Sequence, residues 1–86
     1  MNHHEKILKA LANRRRLEIL KYIKVRKEAN VGEIAKHIKL SFKSTSRHLA
    51  ILLGADILEK DQRNVLVFYC LAPRLAPMAE SVISEI

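Results

Sequence analysis

The 86-residue chain carries sixteen Lys and Arg against nine Asp and Glu, a formal net charge of +7 at pH 7. This excess of cations indicates a polyanionic partner such as nucleic acid, although a basic chain that is simply soluble is the plainer interpretation. The length allows one domain around one modest hydrophobic core, so we expect residues 1–86 to form a single unit.

The composition argues against several classes of protein. The single cysteine, Cys70, excludes an internal disulfide and CxxC-type zinc spacings, which predicts a reducing, cytoplasmic location. No stretch approaches the roughly eighteen apolar residues of a membrane span, and no signal peptide precedes the first predicted helix. A glycine-rich phosphate loop, an HExxH motif and a paired nucleophile and base are all missing, so we predict no enzyme, no cofactor and no membrane partner.

Two helices are predicted in the first third of the chain. Apolar periodicity predicts the first over Asn2–Leu11. Asn13 is a good N-cap for the second, Arg14–Arg26. Three arginines in the first turn of this second helix oppose its dipole. We interpret Arg14 and Arg15 as phosphate contacts; the alternative is that they are solvated and that Arg16 alone makes a structural contact.

A helix-turn-helix is predicted next. Asn30 begins a third helix with Glu33 at the capping-box spacing, and its stripe ends at Ile38. Ser41 is a plausible N-cap for a fourth helix, predicted over Ser41–Leu53. Two short amphipathic helices with a connection of about three residues are typical of this motif, although helical bundles show the same spacing.

The fourth helix has two faces with different chemistry. Its inner stripe consists of Thr45, His48, Leu49 and Leu52. Its outer face and first turn carry cations and small hydrogen-bonding groups that could reach base edges in a DNA groove. These predicted DNA contacts are Phe42, Lys43, Ser44, Ser46 and Arg47. We add His48 to them, although a buried hydrogen-bonding anchor is its favoured interpretation, and packing against the third helix is an equal alternative for Phe42.

A hairpin is predicted after this helix. Ile57–Lys60 forms its first strand, Asp61–Asn64 a polar tip, and Val65–Leu71 a second strand rich in β-branched and aromatic residues. Both faces of the second strand are apolar, so we expect it to be well covered. We assign Lys60 and Arg63 to DNA contacts of the wing. Within the second strand, Cys70 is interpreted as a small hydrophobic residue, with a redox role as the minority alternative.

Pro73 and Pro77 bracket the start of a last helix, which carries a wide apolar stripe up to Ile86. Because a core of this size has little room for that stripe, we predict that it pairs with a second subunit. The predicted interface residues are Ile7, Leu8, Leu75, Met78, Ala79, Val82, Ile83 and Ile86. The alternative is that the last helix folds back on the chain's own first helix.

Three segments resemble the ArsR (arsenic-repressor-like) family of dimeric winged-helix transcriptional regulators. Lys9–Asn13 with Arg16–Leu20 resembles the family's opening helices. Ser41–Leu49, which ends in Ser-Arg-His-Leu, is similar to its recognition-helix signature. The resemblance implies a mainly α winged helix-turn-helix of about five helices and a two-stranded β-hairpin wing. It also implies a homodimer that binds double-stranded DNA.

The chain departs from the family pattern at several positions. Asp56 stands where glycine is usual, and Thr45 replaces a commoner valine. The metal-binding pair of the family's arsenic and cadmium sensors would fall near Asn30 and Gly32, so we predict no metal site there. His3, His4 and His37 could bind zinc only if the fold gathered them, and exposed histidines are the favoured interpretation. The inducing signal is left open.

We therefore predict a homodimeric regulator, acting as a repressor, that binds a palindromic operator. A rival from another class is a winged helix whose recognition-helix surface docks a protein, with the charge serving only solubility. An RNA-binding module is a third interpretation, but the aromatic-rich sheet expected for single strands is missing.

Overall fold

The computed structural model describes residues 2–86, which contain five helices and three strands. In chain order these are α1 (His3–Leu11), α2 (Arg14–Arg26), β1 (Ala29–Asn30), α3 (Val31–Ile38), α4 (Phe42–Gly54), β2 (Leu58–Arg63), β3 (Leu66–Leu71) and α5 (Pro77–Glu85). The predicted winged helix-turn-helix with five helices and a hairpin is confirmed. None of the helices in this range is long and apolar enough to cross a membrane.

The helix-turn-helix is formed by α3 and α4, and both helices begin at residues that cap them. The side chain of Asn30 accepts a hydrogen bond from the backbone N–H of Glu33, whose carboxylate accepts one from the N–H of Asn30, both at 2.9 Å. Ser41 accepts one from the N–H of Ser44 at 3.1 Å. These bonds satisfy N–H groups that a helix start leaves unpaired. The predicted starts of both helices are confirmed.

All five helices contribute side chains to one hydrophobic core. Ile7, Ile23, Ile34, Leu49 and Ile83 represent α1 to α5 there, and each is almost completely buried. Burying one such side chain stabilises the fold by about 1.5–3 kcal/mol. Because the inner face of α4 is held in this core, the opposite face of that helix must point to solvent.

The wing belongs to a three-stranded antiparallel sheet in the order β1-β3-β2. β2 and β3 form the predicted hairpin, with Leu58 opposite Leu71 and Arg63 opposite Leu66. The predicted tip Asp61–Asn64 is wrong in its extent, because β2 continues to Arg63 and the turn consists of Asn64 and Val65. The turn residue Asn64 has a φ of 57°, a left-handed conformation that Asn tolerates better than most residues. β1 pairs with the other edge of β3. Two residues are too few to show a strand periodicity, so β1 was not predicted.

The expectation that both faces of the second strand are well covered is wrong. Val65 at the wing tip is 91% exposed, Leu66 is also exposed, and the remaining residues of β3 are half-buried. The neighbouring strands protect the edges of β3, while the core lies against one face of the sheet. The other face is therefore covered only by side chains of the wing itself.

The last helix folds back on its own chain, which was the less favoured alternative. α5 packs on α1 and α2, and Lys24 of α2 donates hydrogen bonds from Nζ to the carbonyl oxygens of Ile83 at 2.9 Å and Ser84 at 3.3 Å. Ile7, Ala79 and Ile83 therefore lie in the protein's own core rather than on a free surface. A core that includes one edge of the α5 stripe leaves the other edge half-exposed.

The chain leaves α4 through a left-handed residue. Asp56 has a φ of 58°, in the region where glycine is most comfortable and Asp is better tolerated than most other residues. Asp56 stands at the position where the resembled family usually has glycine, and it keeps the left-handed backbone that this bend requires. The bend directs Ile57 and Leu58 into the core, from which β2 begins.

We expect Thr45→Val to stabilise the protein by about 1 kcal/mol, because a buried hydroxyl without a partner costs roughly 1–3 kcal/mol. Thr45 is fully buried, and its Oγ1 has no hydrogen-bond partner among residues 2–86. Thermal unfolding measures the change. The control Thr45→Ser keeps the hydroxyl and loses a methyl group, so its melting temperature should fall. A melting temperature of Thr45→Val at or below that of the wild type would contradict this account.

Candidate nucleic-acid interface

The outer face of α4 presents two unpaired cations to solvent. Lys43 and Arg47 are exposed and lie one helical turn apart, so their side chains share a face. Among the described residues, neither makes a side-chain hydrogen bond or an ion pair. Ser46 is half-buried beside them, and Ala50 is exposed one turn further along. This strip carries two cations and small residues, and it continues to Ile51, which is 45% exposed. Exposed cations and small hydrogen-bonding groups are the properties of a helix that enters the major groove.

The first turn of α4 adds Phe42 and Ser44 to this surface. Phe42 is 64% exposed, so most of its ring does not pack against α3, and a contact with a thymine methyl group or a sugar remains open to it. Ser44 is half-buried and its N–H is bonded to the Ser41 cap. The cap therefore fixes the backbone from which both side chains project.

The three arginines of α2 have three different environments. The side chain of Arg14 is 92% exposed, with a long contact of 3.9 Å to Glu18. Arg15 instead donates from Nη1 to the carbonyl oxygen of Ile38 at 2.7 Å and to Glu18 at 3.1 Å. Arg15 therefore bonds the C-terminal end of α3, and its side chain, which is 40% exposed, is only partly available for the phosphate contact predicted for it. Arg14 is the free one of the pair.

Arg16 connects α1, α2 and α4. It donates from Nε to the carbonyl oxygen of Ala10 at 2.6 Å and from Nη2 to that of Lys9 at 3.0 Å. Its Nη1 lies 3.1 Å from Nδ1 of His48. Because an arginine can only donate, Nδ1 must accept, which places the proton of a neutral imidazole on Nε2. His48 is therefore a hydrogen-bonding anchor of α4, although it is half-buried rather than buried. Arg16 makes a structural contact, but not alone, since Arg15 makes one as well.

The two cations of the wing also differ. Lys60 is exposed and has no ion-pair partner among the described residues. Arg63 donates to both carboxylate oxygens of Glu28, at 2.6 and 2.7 Å, and to Asp61 at 2.9 Å. Its guanidinium also lies 4.7 Å from the centroid of the Phe68 ring. Hydrogen bonding to Arg63 lowers the pKa of Glu28, and the same bonds raise the pKa of Arg63.

Arg63 is thus bonded within the protein, whereas the sequence predicted only a DNA contact of the wing for it. Sequence reasoning missed Glu28 completely, because Glu28 and Arg63 are 35 positions apart. No local pattern joins two residues at such a separation. Only a prediction that β1 pairs with β3 would have indicated that Glu28 lies near Arg63.

Cys70 and the histidines show no sign of a chemical site. Burial, followed by the nearby Glu59, Glu28 and Asp61 carboxylates, raises the pKa of the Cys70 thiol, which disfavours the reactive thiolate. His37 stacks on Tyr22 with ring centroids 4.2 Å apart. Within residues 2–86, no group of three His, Cys, Asp or Glu side chains is placed to hold a metal ion.

Lowering the pH from 7.5 to 5.5 should destabilise the wild type more than His48→Gln. Burial, and then the positive charges of Arg16 and Arg15, lower the pKa of His48. As the pH falls, His48 is protonated in the unfolded chain, where a histidine pKa is near 6.5, before it is protonated in the folded chain. Stability is therefore full above this pH and is lost as the pH falls towards the folded pKa. Thermal unfolding at both pH values tests this, and an equal loss in the two proteins would contradict it.

Comparison with known proteins identifies the family to which the chain is related. Residues 13–60 match the family model described as bacterial regulatory protein, arsR family. The transcriptional activator HlyU of Vibrio cholerae is 38% identical over 66 residues, which are 77% of this chain and 60% of HlyU. The chain thus matches less than two thirds of the length of this curated relative.

Solved structures share the whole fold. A structure of V. cholerae HlyU has a TM-score of 0.81 at 31% identity, covering 96% of this chain and 86% of that one. The homodimeric winged helix-turn-helix DNA-binding domain Mb0332 of Mycobacterium bovis has a TM-score of 0.80 at 26% identity, covering 96% and 70%. The transcriptional repressor PagR of Bacillus anthracis has a TM-score of 0.80 at 25% identity, covering 96% and 91%. The chain therefore belongs to the arsR family of bacterial regulatory proteins, whose members are DNA-binding transcriptional regulators and not enzymes.

Proposed function

We propose that this protein binds operator DNA as a homodimer and regulates transcription, with α4 of each subunit in the major groove. The observation that carries the proposal is the pair of free cations, Lys43 and Arg47, on the solvent face of a capped helix. Arginine can bond guanine with two parallel hydrogen bonds, which makes Arg47 the principal base contact. Ser44 and Ser46 bond neighbouring bases or phosphates, and Phe42 contacts a thymine methyl group or a sugar.

Phosphate contacts come from the cations that the fold leaves free. Arg14 at the start of α2 and Lys60 on the wing have little or no engagement within the chain. Such contacts set the register of a protein on DNA and supply affinity that does not depend on sequence. Arg15 and Arg63 contribute less than the sequence suggested, because their guanidinium groups already bond the protein.

The homodimer forms through the apolar surface that α1 and α5 leave uncovered. Leu8 is 55% exposed, and the half-buried edge of α5 continues this surface. Its residues are Leu75, Met78, Val82 and Ile86. An apolar strip of this kind marks a protein contact more often than a free surface. The homodimeric state of the M. bovis domain, which has the same fold, supports this proposal.

A two-fold dimer implies a palindromic operator. Two α4 helices related by two-fold symmetry reach successive major grooves when the half-sites are about 34–36 Å, or one turn of DNA, apart. An operator target also implies a location in the bacterial cytoplasm. HlyU is named an activator and PagR a repressor, so repression stays a prediction from the sequence.

Arg47→Ala should lower the affinity for the operator by about 1–3 kcal/mol and relax the base preference at one position. Lys60→Ala should instead weaken binding to all sequences alike, because a phosphate contact carries no sequence information. Binding of operator variants at several salt concentrations measures both effects. For Lys60→Ala, the slope of log affinity against log salt should fall by about one.

The control is Arg74→Ala, which removes an exposed arginine from the connection between β3 and α5. This variant should bind the operator as the wild type does. Specific binding that survives Arg47→Ala unchanged would refute the assignment of α4 as the recognition helix.

Leu8→Glu should convert the dimer to a monomer, because it places a charge in an apolar contact. The folded monomer should tolerate the change, since Leu8 is already more than half exposed. Sedimentation velocity at micromolar concentration measures the oligomeric state. Val65→Glu, which alters an exposed residue of the wing tip, should remain dimeric. A wild type that sediments as a monomer at this concentration would overturn the dimer proposal.

A further inference from the structure

One face of the wing carries a cluster that spans the whole sheet. Asp61 and Arg63 lie on the same face of β2, since they are two positions apart. Asp61 is opposite Phe68 of β3, and Phe68 is opposite Asn30 of β1. Glu28, two positions before Asn30, lies on this side as well. We call Glu28, Asp61, Arg63 and Phe68 the wing clasp.

The wing clasp joins elements that the backbone pairs only through β3. Arg63 is the last residue of β2 and lies at the tip end of the hairpin, whereas Glu28 precedes β1 at the opposite edge of the sheet. The Arg63 side chain crosses over the Phe68 ring, at 4.7 Å from its centroid, to reach Glu28. It therefore runs back from the tip towards the body of the protein. The far end of the wing is thereby tied to the connection between α2 and α3.

The geometry of the clasp is stronger than that of an ordinary surface ion pair. Isolated exposed pairs contribute little, because ordering two long side chains costs most of the gain. Here two parallel bonds of 2.6 and 2.7 Å join Arg63 to Glu28, and Asp61 holds the remaining Nε–H at 2.9 Å. Bidentate, charge-assisted bonds of this kind fix both distance and orientation. A ring beneath the guanidinium adds a cation–π contact.

The free cation of the wing lies on the other face. Lys60 and Arg63 are three positions apart on β2, so their side chains point to opposite sides of the sheet. Lys60 has no partner among residues 2–86, whereas the clasp face carries the carboxylates of Glu28, Glu59 and Asp61 around one arginine. A face with a surplus of negative charge is repelled by phosphates. The face that bears Lys60 is the one suited to DNA.

We propose that Glu28 is a positioning residue for DNA binding, which orients the wing through Arg63 so that the Lys60 face meets the DNA backbone. This inference rests on the DNA-binding function proposed above. It gives Glu28 a role in DNA binding although Glu28, like DNA, is negatively charged. Arg63 then acts by holding the wing and makes no phosphate contact of its own. A hairpin released from the clasp spends less time in the binding orientation, and its apparent affinity falls with that fraction.

The direction in which one substitution changes the affinity for DNA tests the proposal. Glu28→Gln removes a negative charge from a DNA-binding protein, so simple electrostatics predicts tighter binding. If Glu28 positions the wing, Glu28→Gln instead weakens binding by roughly three- to tenfold, the scale of one good charged contact. The probe is a duplex selected from a random-sequence library by the wild-type protein. The matched control is Glu59→Gln, which removes an equal charge from the same face without breaking any bond of the clasp, and it should bind at least as tightly as the wild type.

Two variants of Arg63 separate positioning from direct contact. Arg63→Lys keeps the charge but cannot form the bidentate pair, so it should lose as much affinity as Arg63→Ala. Both should leave the slope of log affinity against log salt unchanged, because no phosphate contact is lost. Adding Glu28→Gln to Arg63→Ala should cause no further loss, since the two residues act as one unit. Wild-type affinity in Arg63→Lys, or a slope reduced by about one in Arg63→Ala, would show a direct phosphate contact and overturn the proposal.

A measurement without DNA keeps this test separate from that of the proposed function. Amide hydrogen exchange in β2 and β3 should be faster in Glu28→Gln than in the wild type and unchanged in Glu59→Gln. Equal exchange in all three proteins would refute the clasp even if the protein binds DNA. Conversely, faster exchange together with tighter DNA binding by Glu28→Gln would show that the clasp withholds Arg63 from DNA, and would also refute the positioning role.

Discussion

The proposed DNA-binding surface depends on the contacts that Arg16 of α2 makes with α1 and α4. Its guanidinium bonds the last turn of α1 through Ala10 and Lys9, and it bonds α4 through His48. Arg16 of α2 thus joins α1, its neighbour in the chain, and the distant α4 at one point by charge-assisted bonds, which are stronger and more directional than neutral ones. Together with the burial of Leu49 in the core, this contact fixes the rotation of α4 about its axis. The rotation decides which side chains of α4 can reach a groove.

The positively charged side chains have two different roles: some bond other groups of the protein, and others are left free. Arg15, Arg16 and Arg63 bond carbonyl oxygens, a histidine or carboxylates within the protein, while Lys43, Arg47 and Lys60 have no such partners among the described residues. Arginine suits the first role because its planar group satisfies several acceptors at once. A net charge therefore predicts the class of partner, but it overestimates how many cations are available to that partner.

The apolar residues of α1 and α5 also have two roles, since some lie in the core and others remain on the surface. One side of the α5 stripe, Ala79 and Ile83, completes the core together with Ile7 of α1, and Lys24 secures the end of α5. The other side stays half-exposed and joins Leu8 in a surface suited to a second subunit. In a chain of 86 residues the core and the proposed interface thus share a single helix. The proposed dimer and the subunit's own core therefore use the same helix.

The sequence by itself determined the helices, their caps and the hairpin, because these depend on neighbours three or four positions apart or on alternation along a strand. It also placed Lys43 and Arg47 on the outer face of α4, since helical periodicity assigns faces without a structure. Tertiary structure alone decided that Glu28 holds Arg63, that Arg15 binds the end of α3, and that β1 joins the sheet. These contacts join residues more than twenty positions apart. No local pattern encodes which distant partner a flexible charged side chain will meet, because that choice depends on how the packed elements are finally oriented.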